Sequence, residues 1–157
     1  MSPTDLDIEF MKTALEEARK AFEEGEVPVG AALVIDGELI ATARNNREST
    51  FDPTGHAETT AIREAARKLG RWRLSDATLY VTKEPCPMCA GVMINARLGR
   101  LVYGCDDAKG GAAASLYRLL SDSRLNHQVE ITAGVMAEEG ARLLKDFFGA
   151  RRKNGRD

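Results

Sequence analysis

The stretch TLYVTKEPCPMCAGVMINARLGRLVY, residues 78–103, carries the reading that decides the fold. Thr78 to Val81 is β-branched and aromatic and reads as a strand, and Arg100 to Tyr103 reads as a second one. Between them, Cys86 to Ala96 reads as a helix opened by Pro85 and Pro87, because a proline loses no hydrogen bond in the first turn. A strand, a helix and a strand in that order imply a parallel pair joined by a crossover. Upstream, Gly30 to Ile35 and Glu38 to Ala43 flank Asp36-Gly37, a dipeptide that tolerates the positive φ values of a tight hairpin turn. Ala57, Ala61, Ile62, Ala65 and Leu69 recur at helical spacing over Ala57 to Leu69, and Gly70 can take the left-handed conformation that ends such a helix. Its small alanines permit close packing on a sheet. A first helix follows from the stripe of Phe10, Met11, Ala14, Leu15, Ala18 and Phe22, capped by Thr4 or Asp5 and closed by Gly25. Downstream lie a small-residue loop at Gly104 to Ala114, a short helix near Ser115 to Leu120, a strand at Gln128 to Ala133 and a last helix from Ala137 to Phe148. The expected class is α/β: three layers, α/β/α, around a central mixed five-stranded sheet whose later strands are parallel.

With 157 residues, 43% of them hydrophobic, the chain suits one compact domain. We assign residues 1–150 to it and residues 151–157 to a basic tail expected to fray. The net charge is −2 and the pI about 5.8, which excludes long-range attraction of the whole molecule to a polyanion. Contact with nucleic acid must therefore be local, from Arg63, Arg67, Lys68, Arg71 and Arg73 or from the tail basics Arg151, Arg152, Lys153 and Arg156, which otherwise read as solvated faces. Three cysteines, two of them close together, do not make a disulfide framework and read as metal ligands or redox thiols in a reducing compartment. Met1 to Asp7 lacks the basic-then-apolar order of a signal peptide, and no apolar run approaches the roughly 20 residues that cross a bilayer. The expected location is the cytoplasm, with no membrane partner.

Cys86-Pro87-Met88-Cys89 puts two sulfurs one turn apart at a helix start, where unpaired N–H groups favour thiolates. On its own the tetrapeptide fits a redox pair as well as a metal site. His56-Ala57-Glu58 shifts the balance, because a histidine opening one helix and two thiolates opening another supply three ligands and leave one tetrahedral position for water. The remaining candidates have no ligand-like neighbours: Cys105 reads as a small buried residue and His127 as a loop hydrogen-bond partner. Zinc would bring the pKa of a bound water to about 7, and Glu58, two residues after His56, is placed to move its proton. The plainer alternative for Glu58 is a surface glutamate stabilising a helix N-terminus.

The pair His-x-Glu and Pro-Cys-x-x-Cys resembles the cytidine deaminase-like superfamily, and nearly the whole chain looks like the bacterial tRNA adenosine deaminases. The likeness rests on Glu26 to Ala31, Asp52 to Glu58, Glu84 to Gly91, Asp107-Ala108-Lys109, Leu125-Asn126-His127 and Asp146-Phe147-Phe148. Asn45-Asn46, Asp52 to Glu58 and Glu84 to Cys89 also resemble bacterial guanine deaminases, so the front half alone does not decide; the segments from Asp107 onward favour the tRNA enzymes. Asp106 stands where some members carry a basic residue. The resemblance implies one catalytic Zn2+ per chain on His56, Cys86 and Cys89, with Glu58 as the catalytic proton carrier. It implies hydrolysis of the wobble adenosine of an arginine tRNA anticodon stem-loop to inosine, by a homodimer in which both chains line each RNA groove. It further implies that Asn45 holds the base or its ribose, that Val29 and Ala57 wall the pocket, and that Asp107, Lys109, Asn126, Phe148 and Arg152 meet the flanking RNA. Against each stands ordinary packing or a solvated charge.

Overall fold

The structure, a computed structural model, describes residues 3–153. Strands β1 (Gly30–Ile35) and β2 (Glu38–Arg44) form an antiparallel hairpin whose turn residues Asp36 and Gly37 have φ of 50° and 75°. Both values suit a turn whose twist matches that of its strands. On its other side β1 pairs antiparallel with β3 (Ala77–Lys83), which pairs parallel with β4 (Arg100–Cys105), which pairs parallel with β5 (Glu130–Thr132). The sheet order is β2-β1-β3-β4-β5, a mixed five-stranded sheet as expected.

Alternation along the strands divides the core in two. Ala32, Val34, Tyr80 and Val102 face Met11, Ala14 and Leu15 of helix α1 (Asp5–Glu23), with Leu143 of helix α5 (Ala137–Lys153) packed alongside. Ala31, Leu33, Leu79, Val81 and Leu101 point the other way, against Ala57, Ala61 and Ile62 of helix α3 (Ala57–Leu69) and Ala90 and Met93 of helix α4 (Pro87–Asn95). The three-layer expectation holds.

Several elements differ from the sequence reading. Strands β3 and β4 run on to Lys83 and Cys105, which pair with each other. That extension matters because ligand sites in open α/β sheets gather at the carboxyl ends of parallel strands. A short helix α2 (Arg47–Thr50) was not anticipated; the buried carboxylate of Glu26 accepts the Glu48 and Ser49 N–H groups at its start, at 3.0 and 2.7 Å. The helix expected near Ser115 to Leu120 is reduced to a 3-10 turn at Leu119–Ser121. There the N–H groups of Leu116 and Tyr117 share the Gly111 carbonyl and that of Leu119 reaches Ala112, so no helical ladder propagates. β5 is shorter than expected. α5 continues through Arg151, Arg152 and Lys153, so these three residues of the tail expected to fray are helical, and the rest of that tail lies outside the described residues. No helix among the described residues is long and apolar enough to cross a membrane.

Helix α1 starts with a capping box: the Thr4 hydroxyl accepts from the Asp7 N–H at 3.2 Å while the Asp7 carboxylate accepts from the Thr4 N–H at 3.0 Å. The same carboxylate, only 1% exposed, accepts from both terminal nitrogens of Arg100 at 2.9 and 2.8 Å and from the Tyr80 hydroxyl at 2.8 Å, tying α1 to β3 and β4. Burial alone would raise Asp7, but the Arg100, Tyr80 and Thr4 hydrogen bonds overcome it and hold the carboxyl at about 2. An unfolded aspartate titrates near 3.9, so the stabilisation is fully present above pH ~4 and is lost as pH falls through ~2, with a size of about 2 kcal/mol. The stability gap between the wild type and Asp7→Asn should therefore narrow from pH 6 to pH 2. Urea midpoints across that range check it, and a constant gap would deny Asp7 this role.

Candidate metal centre and its pocket

His56 is the N-cap of α3 and Cys86 the N-cap of α4, with Pro87 at the first helical position and Cys89 two residues further in. The two helix starts thus meet at His56, Cys86 and Cys89, and the positive end of a helix dipole favours negative charge. His56 Nδ1 lies 3.5 Å from each of the Cys86 and Cys89 sulfurs. All three donor atoms fall within 4.8 Å of one another. A tetrahedral ion bonded to sulfur at about 2.3 Å and to nitrogen at about 2.05 Å separates those two donors by roughly 3.6 Å. The donor set therefore fits a tetrahedral metal with a fourth position left for another ligand.

The electrostatics follow from the crowding. The hydrogen bond with Cys89 brings Cys86 down to about 4 against the opposing effect of burial, and His56 adds to the lowering. Cys89, fully buried and 3.3 Å from the Thr59 hydroxyl, moves upward through its bond with Cys86 and through burial. His56 is raised, chiefly by Cys86. Burial pushes Glu58 up to about 7, with His56 opposing; Glu58 is 4% exposed and stands outside the ligand set. A carboxyl near neutrality can both accept and release a proton.

Above the centre opens a cavity of about 250 Å3. Val27, Val29 and Phe148 supply apolar wall, Ala57, Glu58, His56 and Cys86 the floor, and Asn45, Arg47, Lys83, Glu84 and Asp107 the polar surface. The Asn45 amide braces its own turn, donating to the Val27 carbonyl and accepting the Arg47 N–H, both at 3.1 Å. One amide N–H and one lone pair remain for a ligand. The turn-packing reading of Asn45 is what these bonds show.

The structure brings His56, Cys86, Cys89, Glu58, Asn45, Val29, Ala57, Asp107 and Phe148 to one place. It does not bring Lys109, Asn126 or Arg152 into the cavity; all three are exposed. Cys105 is buried and donates toward the Thr82 carbonyl at 3.5 Å, and His127 Nε2 meets the Leu98 carbonyl at 2.8 Å, so neither joins the ligands. Sequence reasoning missed Val27, Arg47, Lys83 and Glu84 as lining residues. For Lys83 and Glu84 the signal was their place directly before Pro85-Cys86, at the end of a strand.

Comparisons with known proteins agree with this geometry. A family model described as MafB19-like deaminase matches residues 6–152. The chain is 51% identical over 144 residues to the tRNA-specific adenosine deaminase of Bacillus subtilis, covering 92% of this chain and 89% of that one. It is 44% identical over 151 residues to the enzyme of the same name from Haemophilus influenzae, covering 96% and 87%. A solved structure from work on A-to-I editing by tRNA:A34 deaminases at the wobble position of transfer RNA superposes with a TM-score of 0.84 at 46% identity, covering 87% of this chain and 99% of that one. A guanine deaminase from Nitrosomonas europaea has a TM-score of 0.79 at 22% identity, covering 90% and 84%, a likeness of fold alone.

Proposed function

This chain belongs to the tRNA-specific adenosine deaminase family, and we propose that it hydrolyses the wobble adenosine of a tRNA anticodon loop to inosine, with an arginine tRNA as substrate and zinc as its metal. The observation that carries this reading is the set of three donor atoms at tetrahedral separations beneath a cavity that also holds a buried glutamate. His56, Cys86 and Cys89 would hold the zinc, which when bound would supply an acidified water as nucleophile. Glu58 takes the proton from that water and passes it to the ring nitrogen N1 as the water oxygen bonds to C6 of the purine. Glu58 then takes the remaining proton of the hydroxyl added at C6 and delivers it to the exocyclic nitrogen, so that the C6–N bond breaks, the C6 carbonyl forms and ammonia leaves. Water and adenosine enter, inosine and ammonia depart.

A base in a loop reaches such a pocket only when unstacked from its neighbours. Val27, Val29 and Phe148 offer it apolar contact, and Asn45 a hydrogen bond. Lys109, Asn126 and Arg152, exposed outside the cavity, meet the flanking nucleotides in this reading. A homodimer whose two chains line each RNA groove, and a cytoplasmic location, belong to the same proposal and rest on the family relationship.

The test offers zinc-loaded protein an arginine anticodon stem-loop with adenosine at the wobble position and, separately, free guanine. Inosine and ammonia are expected from the stem-loop, stopped by a chelator and restored by zinc, with no release from guanine. Release from guanine alone would overturn the reading.

A further inference from the structure

The loop after β4 forms one lip of the cavity through Asp107, and two consecutive residues at the end of β3 hold it. The Glu84 carboxylate, 2% exposed, accepts the Asp107 N–H at 3.0 Å and the N–H groups of Ala113, Ala114 and Ser115 at 3.1, 2.8 and 2.9 Å, together with the Ser115 hydroxyl. The loop closes directly over this group: a Cβ on Gly111 would lie 2.3 Å from the Glu84 carboxyl carbon. At the rim, the Lys83 ammonium lies 3.2 Å from Asp107 Oδ2, while Asp107 Oδ1 accepts the N–H groups of Lys109 and Gly110 at 3.1 and 3.2 Å.

We propose that Lys83 and Glu84 are positioning residues that fix the Asp107 to Ser115 loop as a preformed lip, so that Asp107 already stands where the target nucleotide must be gripped. This rests on the RNA-deaminase reading. A carboxylate has about four lone-pair sites, and five donors occupy those of Glu84. Glu84 thus lines the cavity without capacity for the proton transfer assigned to Glu58. Removing it would leave several inward-facing N–H groups without an acceptor, a costly arrangement that the loop escapes by moving. Lys83 fixes the Asp107 side chain in turn. A lip ordered before binding spares the substrate the entropy of ordering it. Neither residue is a ligand of the centre, so their loss should act on binding more than on the chemical step.

The experiment is steady-state kinetics on the full zinc-loaded chain with the adenosine stem-loop, using Lys83→Met, Asp107→Asn, the double variant and Glu84→Gln. Lys83→Met should raise KM about 5-fold with kcat within about 2-fold, and should add nothing further in the Asp107→Asn background. Additive effects would mean that Lys83 touches the substrate itself, overturning its positioning role. Glu84→Gln should raise KM about 10-fold or more at unchanged zinc content and speed amide exchange at Ala113 to Ser115. A fall in kcat at constant KM, or unchanged exchange, would overturn the role of Glu84. Should Glu84→Gln not fold, Ser115→Ala, which removes only the hydroxyl donor, must still raise KM and speed exchange at Ala113 and Ala114; no change in either overturns the proposal. A wild-type chain inactive on the stem-loop would overturn the functional reading instead, and amide exchange would still decide whether the loop is clamped.

Discussion

Glu58→Gln is expected to keep the fold and the zinc while slowing stem-loop deamination by about 10²–10⁴. The substitution changes little in shape: the side chain is buried on the first turn of α3 and is not among the three donors of the centre. What it removes is the capacity to accept a proton, and the proposed reaction needs that capacity twice. The nucleophilic water must lose one proton as it attacks, and the exocyclic nitrogen must gain one before it leaves. No other pocket group fits the task, because Glu84 is saturated by donors and the Asp107 carboxylate is held at the rim by Lys83. Single-turnover measurement of inosine, with zinc content read in the same sample, separates loss of proton transfer from loss of metal. Turnover at the wild-type rate with zinc bound would remove Glu58 from the mechanism.

What the sequence made legible was governed by short-range chemistry. Cys86 and Cys89 sit at a helix start because prolines flank the first of them, and His56 opens a helix whose far end is marked by Gly70, φ 67°. The Asp36-Gly37 turn and the period-2 strands around it read from local preferences too. The missed features depend on partners distant along the chain. Glu84 gathers N–H groups 23 to 31 residues away; its place before Pro85-Cys86 marks the neighbourhood of the site but not these partners. The same carboxylate organises the segment before the 3-10 turn, where a short helix was expected. α2 depends likewise on Glu26, more than twenty residues upstream. In the opposite direction, Lys109, Asn126 and Arg152 entered through family resemblance, which assigns a neighbourhood and not a cavity wall; the structure leaves them on the surface.

Gly30→Ala is expected to destabilise the protein by about 3 kcal/mol or more, lowering the melting temperature by roughly 6–12 °C. In the sequence Gly30 only opens a strand. In the structure a Cβ there would lie 2.0 Å from the Ala14 carbonyl oxygen, 2.6 Å from the Ala18 nitrogen and 2.9 Å from the Glu17 Cβ. The first two are backbone atoms of α1 and cannot turn aside as a side chain would, so the helix must lift from β1 or the strand must sink. Either motion strains the Gly30 N–H bond to the Thr82 hydroxyl at 3.2 Å and the Asn45 N–H bond to the Val29 carbonyl at 3.1 Å. Because Val29 and Asn45 line the cavity, the surviving folded protein should also bind its substrate more weakly. Gly149→Ala provides the contrast: that residue lies within α5 with nothing within 4 Å of an added Cβ, and the same change should stabilise by up to about 1 kcal/mol. Urea midpoints of opposite sign for two chemically identical substitutions would locate the effect in the contact between α1 and β1. A Gly30→Ala midpoint equal to that of the wild type would mean that this helix does not pack on this strand as closely as the structure has it.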